Sequence, residues 1–176
     1  MRFSRSAIFG LTCIAALALS AAATEAAMVV SFEGNRTDPY VESGFSFSPT
    51  APSAFTTGQC ASGRCLVLTR NQSVTMQLVE GGVFDLKGLF LRTNGNANLQ
   101  VSNDLGVSQA FVSVGSSTVA FAGVFDDSSS VTFTNIGNGL LLIDDVVATP
   151  LPAAAVLFGA GLAGLAALRR RQQAAA

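Results

Sequence analysis

From Met28 to Ala148 the chain reads as short alternations of apolar and polar residues separated by turn formers. The clearest is SVTMQLV (Ser73 to Val79), which sets Val74, Met76 and Leu78 on one face and Thr75 and Gln77 on the other. Period-two alternation of this kind is the signature of a half-buried strand. Similar runs are MVVSFE (Met28 to Glu33), GFSFS, RCLVLTR, VFDLKGLFLRT (Val83 to Thr93), NLQVS, QAFVSV, STVAFAGVF, SVTFTNI and LLLIDDVVA (Leu140 to Ala148). Many are rich in Val, Phe and Thr, which suit a pleated surface. NGN, NDLG, GSS, DDSSS and GNG lie between them and supply turn chemistry. No helical period and no tandem repeat interrupts the series. The pattern predicts an all-β fold, a sandwich or jelly-roll, over residues 27–148. The Ser-, Thr-, Pro- and Gly-rich stretch from Asn35 to Gly63 reads as a surface loop around one short strand.

The two ends obey other rules. Residues 1–26 start with Arg2 and Arg5, continue with an apolar core from Ala7 to Leu19 and finish in small residues, the plan of a secretory signal peptide. Ala21 and Ala23, or Thr24 and Ala26, satisfy the small-residue rule, and the strand-like MVVSFE just beyond favours a cut after Ala26. Cys13 comes directly after Thr12, which argues against a lipidated cysteine. At the other end, Leu151 to Leu168 is a charge-free apolar run of 18 residues. As a helix it measures about 27 Å, close to the hydrocarbon thickness of a bilayer. Arg169, Arg170 and Arg171 come next and predict a cytoplasmic C-terminus with the body outside. Gly159 with Ala163 and Ala160 with Gly164 are small pairs at the spacing that permits close helix contact in lipid.

Export changes the reading of the cysteines. Cys60 and Cys65, in CASGRC, are the pair left in the mature region and read as a disulfide. A zinc site needs about four ligands, and the chain has no histidine. Between Ala27 and Ala148, Arg36, Arg64, Arg70, Lys87 and Arg92 face Glu33, Glu42, Glu80 and seven aspartates, so the body is acidic. Nucleic acid is excluded as a partner, because phosphate binding calls for clustered basic residues.

Little in the body points to catalysis. Without histidine the usual Ser-His and Cys-His arrangements cannot be built. Lys87, the sole lysine, stands at strand spacing from Asp85 and reads as its surface partner. Asp126 and Asp127 are the adjacent carboxylates a glycoside hydrolase would use, but DDSSS reads as a turn. A sugar platform of exposed aromatics finds no Trp and only Tyr40, in DPYVESG; the 13 Phe sit mostly at core positions of strands.

The acidic pair in LLLIDDVVA stands apart. Alternation sets Leu140, Leu142, Asp144 and Val146 on one face and Leu141, Ile143, Asp145 and Val147 on the other, both apolar. A buried carboxylate needs donors, a cation or a raised pKa. Phe32-Glu33-Gly34 near the start and Ile143 to Val146 near the end resemble the first and last strands of jelly-roll domains of the carbohydrate-binding-module kind. That resemblance implies a structural calcium held by Glu33 with Asp144 or Asp145. The alternative is that Asp144 and Asp145 end a strand in solvent.

The tail carries a more specific resemblance. Pro150, Leu151, Pro152 and Ala153, the Gly- and Ala-rich span and the arginine cluster together resemble the PEP-CTERM class of bacterial sorting signals, in the variant that reads Val-Pro-Leu-Pro-Ala. Thr149 replaces the leading valine. The resemblance implies recognition by an exosortase-type membrane peptidase, in a family whose members come from Gram-negative bacteria that often make exopolysaccharide. Prolines also keep the chain extended where a protease would bind it. A permanent single-span anchor would require neither the proline pair nor so short a span.

These readings converge on a protein exported across the inner membrane, transiently single-pass, and finally on the cell surface or in the extracellular matrix. Its expected role is structural or adhesive. A glycan-binding module for exopolysaccharide stands second and a hydrolase last.

Overall fold

The computed structural model describes residues 26–50, 55–57, 59–112 and 115–151. The predicted signal peptide up to Glu25, Pro152, Ala153, the apolar span beyond Leu151 and Arg169 to Arg171 lie outside the described residues. Among the described residues no helix is long and apolar enough to cross a membrane.

The alternating runs become twelve strands: β1 (Met28–Val30), β2 (Tyr40–Glu42), β3 (Phe45–Ser48), β4 (Phe55–Thr57), β5 (Arg64–Leu68), β6 (Ser73–Leu78), β7 (Phe84–Asn96), β8 (Asn98–Asn103), β9 (Ser108–Val112), β10 (Ser116–Ala120), β11 (Ser130–Asn135) and β12 (Asn138–Pro150). They form two antiparallel sheets. The first runs β10-β7-β12-β5-β4, with β1 beside the C-terminal half of β12; the second runs β2-β3-β6-β11-β8-β9. The inward residues of both meet in one core, with Val74 and Met76 of β6, Val131 and Phe133 of β11, and Leu86, Leu89 and Leu91 of β7. The architecture is a β-sandwich, and residues 26–151 form one compact unit.

Aromatic contacts close both sides of the sandwich. Phe55 of β4 lies 5.1 Å from Tyr40 of β2, and Phe111 of β9 lies 5.4 Å from Phe121, just after β10. Tyr40 is therefore buried, in contrast to its predicted place in a loop. Its O–H donates to Glu42 Oε2 at 2.6 Å and its oxygen accepts the Gly34 N–H at 2.9 Å. Burial, reinforced by the bond to Glu42, pushes the phenol above the ordinary tyrosine range.

Four sequence expectations are corrected by tertiary context. The predicted loop from Asn35 to Gly63 contains two extra short strands, β2 and β4, besides β3. MVVSFE stops pairing at Val30, because Phe32 turns left-handed (φ 58°) and buries its ring against Tyr40 and Phe47. STVAFAGVF ends as a strand at Ala120, and a turn delivers Phe121 and Phe125 to the core.

NGN and GNG, expected as turns, are the paired ends of the two longest strands: Asn138 faces Asn96, Gly139 faces Gly95 and Leu140 faces Asn94. Here both chains cross between sheets with backbone against backbone. A Cβ added to Gly137 would overlap the Asn96 carbonyl and reach within 2.6 Å of the Asn98 nitrogen. Asn135 locks the crossing: its Nδ2 donates to the carbonyls of Leu68 and Gly139, and its Oδ1 accepts the Gly137 N–H.

Candidate functional site: the disulfide loop and the groove beside it

β12 carries the site. Its pairing with β7 shifts register between Asp144 and Val147, with Asp145 in the left-handed region (φ 45°). Such an irregularity inserts extra chain and re-aims the side chains after it. Leu141 and Ile143 consequently share the core with Val146 and Ala148. The simple alternation, which grouped Val146 with Asp144, fails at this point. The partner on the other edge also changes here, from β5 at Leu141 to Ile143 to β1 at Val146 to Ala148.

The Cys60–Cys65 disulfide closes the intervening loop. That loop is bound by the carboxylates that sequence had singled out. Asp144 is fully buried, and its Oδ2 accepts the Ser62 N–H at 2.9 Å while its Oδ1 accepts the Asp145 N–H at 2.9 Å. Glu33 Oε1 accepts the Arg64 N–H, and the Arg64 guanidinium donates to the Gly34 carbonyl at 3.2 Å. A side chain at Gly63 would overlap the Glu33 carboxylate. The three segments FEG, CASGRC and IDD thus meet, and backbone amides supply the donors that a buried acid requires. Burial still pushes the Asp144 carboxyl above the ordinary aspartate range, against the pull of the Ser62 and Asp145 amides.

For calcium, the structure brings Glu33 and Asp144 to one loop, whereas Asp145 is half-buried and lines the groove beside it. Among the described residues no three His, Cys, Asp or Glu side chains gather to hold a metal.

The groove, of about 460 Å³, opens over β7, β10 and β12 next to the disulfide loop. Gly88, Leu89, Phe90, Val119 and Val147 make it mostly apolar, and Lys87, Thr118 and Asp145 supply polar groups. Gly88 permits β10 to lie close, since a Cβ there would come within 2.7 Å of the Val119 carbonyl oxygen. Lys87 donates to Asp85 at 2.8 Å and to Asp126 at 3.1 Å, and the Asp85 bond chiefly holds its ammonium above the ordinary lysine range. Asp126 and Asp127 lie in a turn, where the Asp127 N–H donates to Asp85 at 3.0 Å. Sequence reading missed Phe90 as a groove residue, because alternation alone does not separate a core Phe from one on an outer face.

No protein-family model and no curated protein matches the chain. Among solved structures it is similar to the CBM22-1–GH10 modules of endo-1,4-beta-D-xylanase 10B from Clostridium thermocellum, complexed with xylohexaose. That match has 14% identity and a TM-score of 0.42, over 70% of this chain and 28% of that one. It is also similar to TmCBM61, in complex with beta-1,4-galactotriose, with 12% identity and a TM-score of 0.32, over 73% of this chain and 90% of that one. This chain therefore spans less than a third of the length of that solved two-module chain. At these scores neither likeness adds to what the strands themselves show.

Proposed function

We propose that this chain is an exported surface or extracellular-matrix domain with a structural or adhesive role, delivered by an exosortase-type peptidase that acts on its C-terminal signal. The observation that carries the reading is the junction of domain and motif. β12 runs through Thr149 and Pro150, and the Leu151 N–H donates to the Val83 carbonyl at 2.9 Å. The sorting motif thus begins at the last paired residue of β12, and all twelve strands of the described residues end at or before Pro150, so removal of the chain beyond Leu151 leaves each of them in place. The Cys60–Cys65 disulfide supports an oxidising destination. The body is assigned no reaction: Lys87 is engaged by two aspartates, and Asp126 and Asp127 occupy a turn. The test is expression with and without the peptidase, with the C-terminus read by mass spectrometry. A shortened C-terminus only in the strain with the peptidase is expected, and an identical C-terminus in both refutes the sorting.

The groove favours a second reading, a glycan-binding module for exopolysaccharide. A half-buried Phe90 ring beside Lys87, Thr118 and Asp145 combines an apolar surface with hydrogen-bonding groups. Tyr40 cannot serve as a platform, being buried. Phe90→Ala is expected to weaken retention on purified exopolysaccharide by about tenfold, from the loss of ring contact. Equal retention of variant and parent rejects the groove as the site.

A further inference from the structure

The segment that forms β8, β9 and β10 is almost free of charge. Asp104 is the one charged residue between Thr93 and Phe125, although residues 26–151 carry five positive and ten negative side chains. Among the described residues β9 is the last strand of its sheet on this side and pairs with β8 alone. The Asn103 N–H donates to the Val107 carbonyl at 3.0 Å and sets the phase of that hairpin. In an antiparallel pair hydrogen-bonded and non-bonded positions alternate, so Val101 with Gln109 and Leu99 with Phe111 exchange bonds. Ser108, Ala110 and Val112 consequently aim their N–H and C=O groups away from β8. All three are exposed, Val112 at 77%. Phe111, packed against Phe121, holds the strand in place.

Native edge strands are usually guarded by shortness, charge or proline. β2 and β4, on the opposite side, are three residues each, and Pro39 precedes β2. β9 is five residues long and has neither charge nor proline.

We propose that β9 pairs antiparallel with β9 of a second copy of this chain, about a two-fold axis at Ala110, so that two sheets become one. Acidic copies repel each other, and their closest approach is favoured where charge is absent. The two-fold sets Ala110 opposite Ala110 and Ser108 opposite Val112, so no like charges meet, and each facing pair exchanges two backbone bonds. A charged partner would find nothing on this edge to select it. The inference deepens the structural role proposed above and stands on β9 independently of the sorting signal and the groove.

The test is sedimentation velocity of the full chain in detergent over a concentration series, with hydrogen exchange at β9. The parent is expected to dimerise with slowly exchanging amides at Ser108, Ala110 and Val112. Ala110→Lys sets like charges face to face, and Ala110→Pro removes an N–H that β8 does not use. Both are expected to raise the dissociation constant by about tenfold or more and to release those amides, from the loss of two or more hydrogen bonds. Circular dichroism unchanged from the parent confirms that each variant is folded. A monomeric parent overturns the proposal, as do folded variants that dimerise as tightly as the parent. Protection of the β9 amides by a different envelope component in a monomeric chain overturns it as well.

Discussion

Asp144→Asn removes a buried charge while keeping the shape of the side chain, and its consequence is a change in how stability depends on pH. In the folded chain the Asp144 carboxyl lies above the ordinary aspartate value of 3.8, chiefly because burial removes it from water. Between that value and its raised pKa the folded state holds a proton that the unfolded state has released, so stability falls as pH rises through this window. Each pH unit crossed removes up to about 1.4 kcal/mol. Asp104 acts in a separate window. The Ser129 hydroxyl, first among its donors, lowers its pKa, so its contribution is present above 3.8 and is lost as pH falls through the lowered value. The asparagine keeps one acceptor for the Ser62 or Asp145 N–H and sets an NH2 against the other. It is therefore expected to lose about 1–2 kcal/mol at acid pH, where Asp144 is neutral. That deficit should shrink steadily as pH rises past 3.8. The assay is urea denaturation of parent and variant at half-unit steps from pH 3.5 to pH 7. A difference constant with pH, or one that widens in favour of the parent, refutes the account of Asp144 as a desolvated acid.

The geometry sets four further outcomes. Gly137→Ala forces a Cβ into the Asn96–Asn98 backbone and should destabilise the fold by about 3 kcal/mol, since backbone cannot swing aside; a loss below 1 kcal/mol in chemical denaturation disproves that contact. Replacing Cys60 and Cys65 together by serine should cost about 2 kcal/mol, the value for so small a loop, and reductant should do the same to the parent but not to the variant. Because the Ser62 and Asp145 amides engage both oxygens of Asp144 and the Arg64 amide engages one of Glu33, millimolar calcium or chelator is expected to leave the melting temperature unchanged, and a calcium-dependent rise would place a cation at these acids. The processed protein is expected to retain Leu151, tied as it is to Val83, and a mature C-terminus at or before Pro150 contradicts this.

Much of the sandwich was legible because a half-buried strand writes its burial as alternation. β6 is the plainest case: Val74 and Met76 face inward as read, with Thr75 bonded to Thr132 across to β11 on the other face. Legibility failed where backbone conformation broke the period. Phe32 and Asp145 adopt positive φ without being glycine, which local composition does not announce. It failed again at NGN and GNG, where glycine serves close approach between chains and not a turn. The candidate site was half visible. Glu33, Asp144 and the cysteines were each conspicuous, but their common target, the amides of residues 62–64, was not.

By itself the sequence determined the all-β class, the position of most strands, the acidic body and the nearness of Cys60 to Cys65, because each depends on local period, composition or short separation along the chain. Tertiary structure decided which face Asp144 and Val146 take, that Tyr40 is interior, that Phe90 lines a groove and that β9 is left at an edge. Those outcomes depend on which strands become neighbours, and on the two register shifts of β12 between Asp144 and Ala148, which no nearest-neighbour pattern encodes.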